Sequence, residues 1–304
     1  RWVDENVKLA RLYLTPLAAD GAGKRDVKKI GDVGRHVSSF DWSPDGKRIA
    51  FAHVKSPVVD FWPTSDISVV DVASGTVSVL AATEAAEASP MYSPNGNFIA
   101  ASVSDLPVRW AQSNRIAIYP AGGGAPRKLS ASHDGQPNLL AWHQDSSGIL
   151  FTEARGTGTA LYDANIDSGT IQMMDDQDAV ISSPFAGKDG WYAFVKQTSD
   201  SPPEVFVGRQ DVMEARKVSN ANAEYAKYTV PRTEVVKWKS KDGREIEGLL
   251  TYPMGYTAGT KVPLILNIHG GPAGVFNRNY VGGRGAYPLA SFAAKGYAVL
   301  RPNP

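Results

Sequence analysis

The sequence predicts part of a β-propeller followed by the first elements of an α/β domain. Two observations predict this fold class. A repeat returns every 50 residues over the first half of the chain, and an apolar segment at residues 262–268 ends abruptly in a histidine, two glycines and a proline. A repeat of this length that is built from strands is typical of propeller blades. A long apolar segment before a glycine turn is typical of a buried strand in a mostly parallel sheet.

The repeat consists of three segments that each place a turn between an aromatic residue and an isoleucine. The flanking pairs are Trp42 and Ile49, Tyr92 and Ile99, and Trp142 and Ile149. Proline presets φ at the first turn position and glycine supplies the positive φ that closes the turn, as at Pro44 and Gly46. A β-sandwich could contain similar turns, but it would not keep a constant 50-residue register. We therefore predict propeller blades.

Further copies extend this pattern in both directions along the chain. A looser copy covers residues 185–194, with Asp189 and Gly190 at its turn, and residues 11–15 look like the outer half of an earlier blade. Each unit also contains a second strand pair, which gives the four strands of a blade. Residues 1–228 therefore hold about four to five blades, and we expect this propeller to be truncated at its N-terminal side.

The pattern changes in the last quarter of the chain. Residues 235–253 alternate around a Lys241-Asp242-Gly243 turn and predict a hairpin. This hairpin could be one more blade, because it resembles the earlier turns. The next strand, residues 262–268, is instead continuously apolar, which predicts a strand buried on both faces of a parallel sheet.

A helix and another strand complete the predicted α/β elements. Residues 288–296 begin with proline, place apolar residues on one face and stop at glycine, which predicts a short amphipathic helix. Residues 297–300 then predict a buried strand. Hairpin, strand, glycine turn, helix and strand follow the order that opens an α/β-hydrolase sheet. We therefore assign residues 229–304 to the start of such a domain.

The glycine turn predicts a specific chemistry. In α/β-hydrolases the loop after the third strand points a backbone N–H at the oxyanion of an acyl-transfer intermediate, and glycine leaves room for that approach. His269-Gly270-Gly271-Pro272 fits this loop. No serine of the chain lies in a Gly-x-Ser-x-Gly sequence, which would form the nucleophile elbow. The Ser/Asp/His triad is therefore not in this chain, and the chain alone is predicted to be inactive.

These residues together resemble the prolyl oligopeptidase family of serine peptidases, in which a propeller caps an α/β-hydrolase domain. The resemblance is carried by residues 238–248, by the His-Gly-Gly-Pro sequence at residues 269–272, and by residues 292–303. A histidine at the first position of that loop matches the acylaminoacyl-peptidase-like branch. The propeller repeats alone are shared with TolB-like scaffolds.

The resemblance implies roles for three residues. Gly271 would give one oxyanion-hole N–H, Gly270 would shape the loop, and His269 would orient the loop without acting as the general base. Cleavage of short or N-acylated peptides through an acyl-enzyme would follow, with the propeller excluding folded proteins.

Glu84 and Glu87 are the nearest candidates for the paired glutamates with which the dipeptidyl peptidase IV branch holds a substrate's amino terminus. They lie in an alanine-rich stretch that predicts a solvated connector, so we do not assign that role.

Composition excludes several function classes. The chain has no cysteine, which excludes disulfides and a thiol nucleophile, and its net charge is +1, with both signs spread along its length. We therefore expect no nucleic-acid partner and, without a long apolar run, no membrane partner. Localisation stays open between the cytoplasm and a periplasmic or secreted protein whose signal peptide has been removed.

No metal or cofactor is expected. The histidines His36, His53, His133 and His143 show no metal-ligand spacing and are predicted to pack in blades or lie at the surface. Asp175, Asp176 and Asp178 lack the alternating donors and central glycine of a calcium loop. A solvated loop is favoured for these aspartates.

Two other functions remain open from the sequence. A non-catalytic propeller could bind a protein or peptide, and a carboxylesterase could use the same oxyanion loop. The expected partners are a short peptide substrate and the rest of the hydrolase domain, supplied by a companion chain or by a continuation. An incomplete sheet would otherwise leave an apolar edge uncovered. A homo-oligomer is also left open.

Overall fold

The computed structural model describes residues 5–175, 178–187, 190–209, 212–271 and 274–304. Almost all of its regular structure is β. The strands are β1 Leu12–Leu14, β2 Lys28–Ile30, β3 His36–Trp42, β4 Arg48–Val54, β5 Asp66–Asp71, β6 Val77–Ala81, β7 Glu87–Tyr92, β8 Phe98–Ser104, β9 Asn114–Pro120, β10 Arg127–Lys128, β11 Asn138–Trp142, β12 Gly148–Arg155, β13 Gly158–Asn165, β14 Ile171–Asp175, β15 Val180–Ala186, β16 Trp191–Gln197, β17 Glu204–Arg209, β18 Val212–Lys217, β19 Thr233–Lys239, β20 Glu245–Thr251, β21 Leu264–Leu266 and β22 Ala298–Asn303. The helices are α1, Leu289–Ala294, and two 3₁₀ helices, Val59–Thr64 and Ala223–Lys227.

Four sheets are each built from four strands that are consecutive in the chain. They are β3–β6, β7–β10, β11–β14 and β15–β18, and the pairings recorded in the first, second and fourth are antiparallel. This is the construction of propeller blades, so the predicted partial propeller is confirmed. A separate two-stranded sheet, β1 with β2, lies where an earlier blade was expected.

The predicted turns have nearly the same geometry in three copies. Gly46, Gly96 and Ser146 occupy equivalent positions with φ of 69°, 72° and 65°. In the first two copies, the carbonyl oxygen of the serine before the proline accepts the glycine N–H. The hydroxyl of the same serine donates to the aspartate or asparagine side chain two residues later. The turn therefore closes through local hydrogen bonds, which is why it can be read from sequence.

The chain divides into two compact units, residues 1–150 with 164–171, and residues 151–163 with 172–304. In the first unit the small residues Ala50 and Ala52 of β4 pack in one cluster with Ile99 and Ala101 of β8. The neighbouring residues of β4 face a second cluster on the opposite side of the sheet. Side chains of β4 therefore alternate between two clusters, with the small ones packed against the adjacent blade.

Polar contacts across 51 positions, one more than the length of the repeat, join neighbouring blades of the first unit. The Trp142 indole Nε1–H donates to the Met91 carbonyl oxygen at 3.0 Å. The Tyr92 backbone N–H donates to Asp41 Oδ2 at 2.7 Å. In both contacts a side chain of the first or third repeat satisfies a backbone group of the second, which helps to fix blade spacing in addition to apolar packing.

The second unit contains a mixed sheet with the strand order β19-β20-β22-β21. β19 and β20 form the predicted hairpin, β22 is antiparallel to β20, and β21 is parallel to β22 with α1 in the connection between them. This parallel pair distinguishes the sheet from those of the blades. Ala298 and Val299 of β22 are buried, as predicted, whereas Tyr297 precedes the strand and is 38% exposed.

The prediction that residues 262–268 form a strand buried on both faces is wrong. β21 has only three residues and lies at the sheet edge, and Leu264, Leu266 and Ile268 are 57%, 56% and 71% exposed. Burial on both faces requires other elements packed over each face of the strand, whereas β21 lies at the sheet edge and α1 packs against β22. Within those residues no helix is long and apolar enough to cross a lipid bilayer.

Candidate oxyanion turn

The candidate site begins where β21 leaves the sheet. The Asn267 backbone N–H donates to the Leu300 carbonyl at 2.9 Å, which is the last bond between this strand and β22. His269, Gly270 and Gly271 follow at the carboxyl end of the strand. Crevices at the carboxyl ends of parallel strands are where ligands bind in α/β sheets. Pro272, the last residue of the predicted motif, lies outside the described residues.

The two glycines of the turn differ in what the backbone requires of them. Gly271 has φ of 151°, a value that residues with a side chain rarely adopt. At Gly270 an added Cβ would meet nothing within 4 Å, and φ is not in the left-handed region. The turn itself therefore needs glycine at Gly271, whereas the space above Gly270 is open for an approaching molecule.

His269 is held against the turn that it begins. Its Nδ1 lies 2.9 Å from the Gly270 carbonyl oxygen, to which the protonated ring nitrogen donates. Its ring meets the Phe276 ring edge to face, with 5.4 Å between centroids. Both contacts fix the orientation of the imidazole relative to the turn.

The residues that follow the turn fold back onto it. A Cβ on Gly274 would collide with the Gly270 carbonyl oxygen and lie 3.3 Å from His269 Nδ1. Glycine at this position therefore permits the close approach of two backbone segments. Gly274 was not predicted as part of the site, although a third glycine so soon after the motif is a sequence signal for a tight turn.

Asn303 clamps the returning segment to β22. Its Oδ1 accepts the Phe276 N–H at 2.8 Å, and its Nδ2 donates to the Phe276 carbonyl at 3.0 Å. One side-chain amide thus satisfies both backbone groups of one residue, as a neighbouring strand would. Phe276 in turn contacts His269, so Asn303 holds the turn in position through Phe276.

Arg301, a second residue of β22 that contacts the same segment, is only 5% exposed. Its guanidinium is 5.7 Å from the centre of the Phe276 ring. Burial lowers the pKa of Arg301 to about 10, so the side chain is still charged at neutral pH. Within the described residues its Nε and Nη2 have no hydrogen-bond partner.

Arg278, further along the segment, is bonded to the turn between β12 and β13 and to Asp178. Arg278 donates from its backbone N–H to the Thr157 carbonyl at 2.8 Å and from Nε to Thr157 Oγ1 at 2.7 Å. Arg278 Nη1 also lies 2.8 Å from Asp178 Oδ2. Thr157 is buried in the turn between β12 and β13. This anchor joins the segment after the candidate turn to a propeller hairpin inside the second unit.

The prediction that Glu87 lies in a solvated connector is wrong. Glu84 is exposed, but Glu87 begins β7 and is 0% exposed. Its backbone N–H donates to the Ser65 carbonyl, and its carbonyl accepts the Ser65 hydroxyl at 2.6 Å. These bonds draw the residue into the sheet. Burial raises the pKa of the Glu87 carboxyl, and hydrogen bonds from Thr83 oppose that effect.

The other candidates have ordinary structural contacts. Asp178 pairs with Arg278, and Asp176 lies outside the described residues. His36 accepts the Ala10 N–H at 2.9 Å, and buried His53 lies 2.8 Å from Ser68 Oγ. Across the part of the chain that the structure describes, no group of three or more histidine, aspartate or glutamate side chains could hold a metal ion.

Comparisons with known proteins agree with this architecture. Dipeptidyl-peptidase 5 of Porphyromonas gingivalis is 22% identical over 271 residues, which are 88% of this chain and 39% of that protein. The crystal structure of puromycin hydrolase superimposes with a TM-score of 0.65 at 18% identity, over 94% of this chain and 44% of that one. The acylaminoacyl peptidase of Pyrococcus horikoshii gives 0.53 at 18% identity, over 92% and 52%.

These relatives are longer than the chain, which spans about two fifths of the first curated relative and somewhat more of the first solved structure. The sequence model of the TolB beta propeller domain (PD40) matches residues 3–255. Because that match covers most of its residues, the chain belongs to the TolB β-propeller domain family, and its propeller is of the kind that prolyl oligopeptidase-family peptidases carry.

Proposed function

We propose that this chain belongs to a serine-type peptidase, for which it supplies the propeller and the oxyanion-hole loop. Residues 1–228 would form the propeller and residues 229–304 the start of the α/β-hydrolase domain. The substrates would be short or N-acylated peptides. The peptidases and hydrolases among the similar proteins support this class of reaction.

The observation that carries the proposal is the position and geometry of the turn. Gly271 follows a strand that is parallel to β22, with α1 in the crossover, and its φ of 151° orients the backbone as a side-chain-bearing residue rarely could. A backbone N–H at this place can donate to a developing oxyanion. His269, Phe276 and Asn303 hold the turn before a substrate arrives, which is what transition-state stabilisation by fixed dipoles requires.

The reaction would proceed through an acyl-enzyme. A serine from the remainder of the protein would attack the peptide carbonyl, and a histidine would take the serine proton and return it to the leaving amine. The Gly271 N–H would donate to the carbonyl oxygen as that oxygen gains negative charge. His269 bonds its own turn through Nδ1, which supports an orienting role for it and not that of the general base.

Labelling of the full-length protein with a fluorophosphonate tests this proposal, because the reagent modifies an activated serine. We expect one labelled serine. Gly271→Ala keeps the backbone N–H but should shift it away from the oxyanion, because alanine rarely adopts a φ of 151°, so we expect labelling to slow by about 10²-fold, as for a lost oxyanion donor. Gly255→Ala is the matched control, since Gly255 also has a positive φ but lies in a separate loop with open space around it.

Other outcomes would favour the alternatives. An unlabelled full-length protein that still binds peptides would be a non-catalytic module. A labelled protein that hydrolyses esters but not the matching amides would be a carboxylesterase on the same scaffold. Equal labelling of the Gly271→Ala and Gly255→Ala proteins would remove Gly271 from the oxyanion hole.

A further inference from the structure

A cavity of about 520 Å³ lies in the second unit, beside the segment that follows the candidate oxyanion turn. Its walls come from the ends of β16, β17 and β18, from the 3₁₀ helix Ala223–Lys227 and from Tyr280. Ligand pockets in proteins usually have volumes of about 300 to 1,000 Å³ and are lined mainly by apolar and aromatic side chains. The volume suits one large side chain and its neighbouring peptide bonds.

The wall formed by Tyr280 is held in place by the adjacent sheet. The Tyr280 backbone N–H donates to Gln197 Oε1 at 3.0 Å, and the Val281 N–H donates to the Ser199 carbonyl at 3.0 Å. The Tyr280 ring meets the Tyr225 ring edge to face, with 6.2 Å between centroids. The cavity is therefore formed without a ligand, so little ordering would be required on binding.

Aromatic rings dominate the apolar part of the lining. Tyr225 also contacts Tyr228 at 6.4 Å between centroids, and Phe206 and Val230 line the same cavity. Offset and edge-to-face contacts between rings stabilise aromatic ligands beyond the burial of their surface. The lining therefore favours a flat, apolar group.

The charged groups of the lining do not favour a charged ligand. The Glu204 carboxylate already accepts hydrogen bonds from the Ser219 hydroxyl and from the Ala221 and Asn222 N–H groups, and these donors lower its pKa. Asp200 accepts the hydroxyl of Thr198. Lys196 and Lys217 balance these two acids. A cationic side chain would meet a Glu204 carboxylate whose two oxygens already accept hydrogen bonds, and an anionic side chain would lie near two acids.

One short chain segment connects the Tyr280 wall of the cavity to the proposed catalytic loop. That segment runs from the turn at Gly271 past Phe276, which Asn303 clamps, and Arg278, which Thr157 anchors, to Tyr280. We propose that the cavity binds an uncharged aromatic side chain of the peptide substrate and so determines specificity. This inference rests on the proposed peptidase function and adds a substrate class to it.

Hydrolysis of N-acetylated peptide amides by the full-length protein tests the inference. Within each set of peptides, one position near the cleaved bond carries phenylalanine, alanine, lysine or glutamate, and a separate set is made for each position. We expect one position at which phenylalanine raises kcat/KM about tenfold or more over each of the other three. Tyr225→Leu and Tyr280→Leu should remove that preference by lowering kcat/KM for the phenylalanine peptide about tenfold more than for the alanine peptide. Tyr225→Phe, which keeps the ring, should retain the preference.

Tyr13→Leu is the control, because Tyr13 is an exposed tyrosine of β1 outside this unit. Thermal unfolding of each variant shows whether the fold is kept. Equal losses for the phenylalanine and alanine peptides, or a preference that survives both leucine variants, would overturn the inference.

A binding measurement separates this inference from the peptidase proposal. Equilibrium binding of N-acetyl-phenylalanine amide to the full-length protein should weaken about tenfold or more in Tyr225→Leu and not in Tyr13→Leu. If fluorophosphonate labelling fails but this difference remains, the pocket stands and the peptidase proposal falls. If labelling succeeds and the difference is absent, the pocket assignment falls alone.

Discussion

Arg278 Nε lies 2.7 Å from Thr157 Oγ1, so a guanidinium soon after the candidate oxyanion turn is held by a hairpin of the propeller. A second bond joins the Arg278 N–H to the Thr157 carbonyl, and Asp178 pairs with the same guanidinium. The propeller hairpin therefore contributes to the position of the loop. In the proposed peptidase, the blade would act on catalysis as well as on substrate access.

Thr157→Val should test this coupling, because valine keeps the volume and loses the hydroxyl. We expect kcat of the full-length protein to fall about tenfold, since small displacements of a catalytic group are costly, with little change in KM. Arg278→Gln should have a similar effect. Arg244→Gln is the control, because Arg244 is an exposed arginine paired with Asp242 in the β19–β20 turn. A change in KM alone would argue that the anchor shapes binding and not the oxyanion turn.

Gly274 and Gly270 make a matched pair for the turn itself. Gly274→Ala should destabilise the protein by about 1 to 3 kcal/mol, because its Cβ would displace the Gly270 carbonyl. Gly270→Ala should leave the melting temperature nearly unchanged, because its Cβ would occupy open space, while it obstructs substrate. Thermal unfolding and peptide hydrolysis measured on both variants separate the effects. A lower melting temperature for Gly270→Ala than for Gly274→Ala would contradict the geometry.

The features that could be read from the sequence are those with local causes. The turn at Pro44 and Gly46 closes through bonds within a few residues, so its repeat revealed the blades. The order of hairpin, strand, helix and strand was predicted for the same reason. The exposure of Leu264 depends instead on which elements cover β21, and no residue pattern within the strand records that.

The support of the candidate site was not predictable because its partners are distant in the chain. Arg278 and Thr157 are separated by 121 positions, and Asn303 reaches Phe276 across 27. Neither pair has a sequence signature, because nothing in the sequence distinguishes this arginine or this asparagine from the others in the chain. Glu87 was misplaced for a related reason, since its burial follows from its bonds to Ser65 in the preceding blade.

Ser146 tests how neighbouring blades are joined. It takes the left-handed position that glycine holds in the two earlier turns, and its hydroxyl accepts the Asn95 N–H at 3.1 Å. Ser146→Ala should destabilise by about 1 to 2 kcal/mol, because the strained φ stays and the acceptor is lost. Ser146→Gly should cost less, since it relieves a strain of about 1 kcal/mol.

Urea unfolding midpoints of the two Ser146 variants give the comparison. Gly46→Ala is the reference for strain alone, because the space around its Cβ is empty. Equal midpoints for the alanine and glycine variants would mean that the left-handed φ of Ser146 carries no cost in the folded protein.

Glu87 predicts a dependence of stability on pH. Burial raises the pKa of its carboxyl above the ordinary value of 4.5, so the folded protein favours the neutral acid. The stability that this group contributes is fully present below the unfolded pKa and is lost as pH rises through the folded pKa. Glu87→Gln removes the titration. The variant should therefore gain stability relative to the natural protein as pH rises from the unfolded pKa through the raised pKa of the folded carboxyl.

The informative quantity is how the stability difference between Glu87→Gln and the natural protein changes with pH. Its absolute size is less informative, because the glutamine amide makes its own hydrogen bonds. Unfolding free energies in urea at several pH values would measure it. Glu84→Gln is the matched control, since Glu84 is exposed and its substitution should give a flat difference. A flat difference for Glu87→Gln as well would show that water reaches the carboxyl, which would reopen Glu87 as a group available to a substrate's amino terminus.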